Sequence, residues 1–162
     1  MASSWIHYPA QGGVILVLIA ANAFFVATEF AFVKIRESQL KSMRVKGKKD
    51  WRLGLALRVT KHLDRYLSAT QLGITLTSLG LGWVGEPVVA RWIEGPLKDW
   101  GIVSSAAVTS IAYGLAFAAI TFIDIVFGEL VPKYFAIRRP RTLVMWNAAP
   151  IIVFYHACFP FI

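Results

Sequence analysis

Three long apolar runs alternate with short polar and basic segments along the chain. The first, residues 12–35, holds only two charges, Glu29 and Lys34, both near its C-terminal end. As a helix rising about 1.5 Å per residue it reaches about 36 Å, enough to cross a hydrocarbon core of about 30 Å with some tilt. Its length, and the absence of Lys or Arg before position 34, separate it from a signal peptide. The second run, from Tyr66 to about Val89, reads YLSATQLGITLTSLGLGWVGEPVV. Gln71, Thr75, Ser78 and Gly82 recur at spacings of 4, 3 and 4, which predicts one helical face suited to close helix packing. The Glu86-Pro87 pair predicts a break or an end of that helix, because proline removes a backbone donor and restricts its predecessor. Residues 90–105 read as a short outer connection, with Trp92 and Trp100 at the membrane interface. The third run covers about Ala106 to Phe127, and Pro132 follows it. The last segment, 143–162, is apolar but interrupted by Pro150 and Pro160 and carries Asn147 and His156. It reads either as a fourth span or as a bent helix along the interface.

Composition sharpens this pattern. Hydrophobic residues make up 57% of the 162 positions and charged residues 16%, against about 25% charged in a soluble domain. The net charge of +8 does not indicate nucleic acid, because it is segregated between apolar runs. Lys34 and the segment 36–65 together hold eleven of the seventeen basic residues. By the positive-inside rule that segment is cytoplasmic and the N-terminus lies outside. Arg138, Arg139 and Arg141 mark the cytoplasmic side again, so residues 133–142 are placed there too. Leu53, Leu57 and Leu63 give the basic segment an amphipathic cast. That predicts short helices lying on the inner face, attracted by anionic lipid; a solvated basic loop is the alternative. The lone Cys158 allows no internal disulfide. The predicted fold is an all-α integral membrane domain over residues 1–162, with three transmembrane helices and short helices on the cytoplasmic side of a plasma membrane.

The polar residues inside the apolar runs are the candidate chemistry. A carboxylate at the bilayer centre costs about 2.5–3.5 kcal/mol on the insertion scale. Glu29 follows Asn22 by seven residues, so both lie on one face of the first span. Asp124 and Glu129 are five apart, an offset of about 140° in a regular α-helix, and a π-turn beside Gly128 would bring them nearer alignment. Carboxylate, hydroxyl and amide oxygens suit hard cations such as Mg²⁺ or Ca²⁺. There is no Cys/His cluster for zinc, no nucleophile–base pair and no Gly-rich phosphate loop. Alternatively, the acids pair with Lys34, Lys133 or Arg138 and only stabilise packing.

Three passages, NAFFVATEFAFVKIR at 22–36, QLGITLTSLGLGWVGEP at 71–87 and FGELVPKYFAIRRP at 127–140, resemble the transmembrane domain of the cyclin M/CorC (hemolysin-like) family of magnesium transport proteins. Gly128, Glu129, Pro132 and Lys133 stand where that family has its G-E-x-x-P-K signature. The resemblance implies a homodimer in the lipid bilayer, with three spans and a juxtamembrane belt helix, which favours the belt for 143–162. It implies cytoplasmic nucleotide-binding CBS modules in the full-length protein, none of which falls in this chain. It also implies transport of Mg²⁺, coupled to Na⁺, through a pocket among the three spans. The family's acid on the third span matches Glu129, beside Gly128. Asn22, Thr75, Ser78 and Asp124 complete the expected ligand set. Val26 replaces a serine common in relatives, and Ile74 and Ser78 replace two asparagines.

The leading expectation is therefore a non-enzymatic divalent-cation transport domain. A non-transporting dimeric anchor, its polar stripe serving as a helix–helix contact, is the second reading. A lipid binder at the membrane interface, acting through the basic segment 36–65 and tested by neutralising Lys46, Lys48 and Lys49, is the third.

Overall fold

The computed structural model describes residues 4–43, 50–99 and 105–161. Lys46, Lys48, Lys49 and Trp100 lie outside the described residues. Those described are all-helical: α1 Ser4–Lys34, α2 Glu37–Ser42, α3 Trp51–Lys61, α4 Leu63–Gly80, α5 Glu86–Asp99, α6 Ser105–Ile123, α7 Val131–Arg138 and α8 Pro140–Cys158. Three stretches are long and apolar enough to cross a membrane: Gln11–Lys34, Leu63–Asp99 and Ala106–Arg138.

The second and third spans differ from the expected boundaries. Glu86-Pro87 does not end the second helix, which continues as α5 to Asp99, so 90–99 is helix and not a connecting loop. Pro132 likewise lies inside the third helix, which runs on to Arg138 rather than stopping at Phe127. The same local device explains both. A π-helical segment, Leu81–Gly85, joins α4 to α5, and another, Asp124–Leu130, joins α6 to α7. In each case one residue separates the segment from the proline. The last wide turn of the third span is closed by Val131 N–H on Val126 O, and the next residue, Pro132, has no N–H to give. The hydrogen-bond ladder thus changes register where a donor is missing anyway, and the wide turn makes room for the ring.

α1 and α4 are antiparallel and share the main core. Phe25 lies against Gly73 so closely that a Cβ built there would come within 2.6 Å of the ring. The ring cannot easily retreat, because Phe154 of α8 stands behind it with centroids 4.7 Å apart. Further along, α5 and α6 pair through Ala90, Leu97, Val108, Ala112 and Ala116, forming a second, smaller core.

At the other end, the basic segment forms the expected short helices. α2 follows α1 after a bend in which Arg36 N–H donates to Gln39 Oε1 at 3.1 Å. Asp50 caps α3, accepting from Arg52 N–H at 3.0 Å. α8 lies across three elements. The Arg52 guanidinium of α3 stacks on Trp146, 4.1 Å from the ring centroid. Asn147 Nδ2 donates to Thr28 Oγ1 of α1 at 2.8 Å, and Tyr155 meets Tyr66 of α4. Among the described residues α8 is not one of the candidate spans; its contacts tie it to α1, α3 and α4.

Gly73→Ala is expected to cost about 1–3 kcal/mol through overpacking against Phe25. Thermal unfolding in detergent would measure it, and Phe25→Leu in the same chain should restore part of the loss.

Candidate cation site

The α1–α4 contact places two polar rungs above one another. Thr77 Oγ1 lies 3.0 Å from Asn22 Oδ1, its one proton shared between that oxygen and Gly73 O at 2.8 Å, and Thr70 Oγ1, bonded to Leu67 O at 2.8 Å, reaches Glu29 Oε2 at 3.5 Å. The partners advance by seven residues on α1 as they fall by seven on α4, so two helical turns, about 10 Å, separate the rungs. Phe25 and Gly73 fill the layer between them. Asn22 lies twelve residues before Lys34, about 18 Å along the helix axis. With Lys34 at the membrane surface, the upper rung falls near the bilayer midplane, the depth at which transporters hold their substrates.

The third span closes the upper rung. Asn22 Nδ2 donates to Asp124 Oδ1 at 2.8 Å, and Ser78 Oγ lies 3.4 Å from Asp124 Oδ2. A carboxylate only accepts, so the Asn22 amide must turn its NH₂ to Asp124 and its oxygen to Thr77. Asn22 is fully buried. Gly128 completes the wall: a Cβ there would collide with Asp124 Oδ1 and come within 2.9 Å of Asn22 Nδ2. The π-helical segment begins at Asp124 and contains Gly128 and Glu129. Within this wide turn it is Gly128 that packs against Asp124, while Glu129, five residues on, is exposed.

Four of the six expected residues, Asn22, Ser78, Asp124 and Gly128, are therefore gathered at one place. Glu129 is exposed on the helix and makes no hydrogen bond or ion pair among the described residues. Thr75 is exposed and donates to Gln71 O at 2.9 Å, away from the cluster. The buried polar face of α4 is instead Thr70, Gly73 and Thr77, about one residue's rotation from the predicted stripe. Thr77 was hidden in the sequence, since its spacing from Thr70 and Gly73 is as regular as that of the stripe chosen. Among the described residues no ion pair neutralises these acids: Lys133 Nζ lies 4.4 Å from the Phe30 ring centroid, and Arg138 stacks on Tyr134.

Among the described residues no three of His, Cys, Asp and Glu converge as a metal cage. The cluster supplies one carboxylate, one amide and hydroxyl oxygens. Such a sparse oxygen set suits a hard cation that keeps part of its water, as Mg²⁺ does.

Residues 13–162 match the model of the cyclin M transmembrane N-terminal domain. The chain belongs to that family. Two Bacillus subtilis relatives, the UPF0053 proteins YrkA and YhdT, are 47% and 45% identical over 146 residues, covering 90% of this chain. The Mycobacterium tuberculosis protein Rv1841c is 33% identical over 147 residues, or 91% of the chain. The match takes up 33%, 31% and 41% of those relatives, so this cyclin M domain spans about a third of their length. The family's G-E-x-x-P-K signature thereby acquires a structural sense in this chain. Its glycine, Gly128, admits Asp124 and Asn22, and its proline, Pro132, follows the wide turn that Val131 N–H closes.

Asn22→Ala is expected to cost about 1–3 kcal/mol, the usual penalty for stranding a buried polar group. Asn22→Ala and Thr77→Val should be non-additive in a double-mutant cycle read by thermal unfolding.

Proposed function

We propose that this cyclin M domain carries a divalent cation, Mg²⁺ in the first place, through the cluster of Asn22, Thr77, Ser78 and Asp124. The observation that carries this reading is the Asp124 carboxylate, bonded to α1 by Asn22 and close to Ser78 of α4, with no ion pair to balance it among the described residues. A carboxylate kept at that depth is costly, and a transient cation offsets the cost. Glu129 is the second charged ligand, one π-turn along the same helix. In the lower rung, Glu29 and Thr70 form the next station towards the basic end, and Phe25 on Gly73 is the apolar barrier between stations. The π-helical segments ending before Pro87 and Pro132 are the points of flexure for opening one side at a time. Export coupled to inward Na⁺ movement, a homodimeric assembly, an outside N-terminus and cytoplasmic CBS modules belong to the same reading.

The anchor reading has an observation of its own. Among the described residues every buried polar side-chain atom has a hydrogen-bond partner, so the cluster also serves as a helix–helix tie.

Mg²⁺ flux into proteoliposomes separates the two. Asp124→Asn keeps the shape and the bond from Asn22 but removes the charge. It should lower flux about tenfold to a hundredfold, as loss of a charged ligand worth about 1.5–3 kcal/mol implies. Glu129→Gln should lower it as well. Wild-type protein that moves no divalent cation, with both variants merely less stable, supports the anchor. Phe25→Ala should raise flux or make it leaky, while unchanged flux removes the barrier role alone.

A further inference from the structure

At the basic end, where α3, α4 and α8 meet, a cavity of about 350 Å³ opens beside the start of the second span. Arg58, His62, Arg65 and His156 line it. Neither arginine is in an ion pair: the pairs among the described residues are Lys41–Glu37 and Lys98–Glu94. The remaining wall is aromatic, formed by Tyr66, Tyr155 and Phe159. These rings are fixed by their neighbours. Tyr155 packs on Tyr66 with centroids 5.1 Å apart, and Phe159 meets Tyr155 edge-on at 5.8 Å. His156 is held by its Nδ1–H on Ile152 O at 2.7 Å. A neighbouring cavity of about 510 Å³ shares Arg65, Tyr155 and Phe159, and adds Asp64 and Ser68.

Two guanidiniums without an ion pair, lining one cavity, can each offer a fork of donors to phosphate oxygens. Their position identifies the source of that phosphate. His62 and Arg65 of its lining flank Leu63, the first residue of a candidate span, so the cavity lies at the boundary between hydrocarbon and water. Aromatic side chains at that height sit among headgroups, and basic pockets between helices there take anionic lipid. Phe159 is 62% exposed beside the arginines and would face the glycerol and first acyl carbons of a bound lipid.

We propose that this cavity binds the phosphate of an anionic phospholipid headgroup, with Arg58 and Arg65 as its ligands. The site is separate from the cation cluster and uses none of its residues. A lipid held there ties α3 and α8 to the first turn of the second span.

The purified domain, delipidated in neutral detergent, would be titrated with short-chain phosphatidylglycerol, with phosphatidylethanolamine and with inorganic phosphate. Phosphatidylglycerol should bind and the other two should not. Arg58→Gln with Arg65→Gln should weaken binding about 30-fold, at about fivefold per arginine. Arg58→Lys with Arg65→Lys keeps the charge and should retain most of the affinity, which guards against misfolding as the cause. Lys41→Gln with Lys61→Gln removes the same charge outside the cavity and should leave binding unchanged. Equal weakening by the two neutralised pairs, or binding untouched by the arginine pair, would overturn the proposal. So would inorganic phosphate binding as tightly as the lipid.

Discussion

The side chain of Asn22 is the constraint on which the bundle depends. It is fully buried, and its amide has two ends of opposite character. One donates to Asp124 on the third span and the other accepts from Thr77 on the second. In an apolar surrounding an unmade hydrogen bond is costly, so the three helices have one mutual rotation and height at which both ends are satisfied. The second rung, Glu29 with Thr70, falls into place two turns away because the helices are already in register. Dispersion forces alone would hold apolar helices together in lipid without choosing among neighbouring registers.

The wide turns follow from the same demand. Asp124 must face Asn22, and Gly128 must lie flat against both. Pro132 must also be accommodated in a helix that continues through the membrane. A π-helical segment meets these needs together: it shifts the face presented by residues after Asp124 and moves the ladder past the missing donor. The second span repeats the device before Pro87, with Gly85 pressed against Ile120. Irregular helix of this kind is concentrated at the level of the polar cluster and just beyond it, where a change of shape would alter access to it.

The basic end is stabilised differently. Its bonds are lateral, between short helices and α8, and many involve aromatic rings: Arg52 on Trp146, Tyr66 on Tyr155, Phe25 on Phe154. Amphipathic side chains of this sort are at home between headgroups and hydrocarbon. Phe25 joins the two regions, touching Gly73 within the bundle and Phe154 on α8, so the layer between the polar rungs and α8 share one side chain.

Hydropathy and charge segregation by themselves determined the three spans and the short basic helices, because crossing about 30 Å of hydrocarbon leaves a coarse signature that needs no knowledge of neighbours; the family was legible in three motif passages, 22–36, 71–87 and 127–140. The sequence also named Asn22, Ser78, Asp124 and Gly128, which the structure brings together, and a π-turn beside Gly128 was open to the chain. It misplaced the helix ends at Pro87 and Phe127, since a proline reads as a stop when the wide turn that absorbs it is invisible. The choice of Thr77 over Thr75 was beyond it too. Both threonines have regular spacing on α4, and they differ by about half a turn of rotation. Only contact with Asn22 and Phe25 on another helix decides which of them is turned inward, and rotation about a helix axis is a property of the packed bundle, not of any one segment.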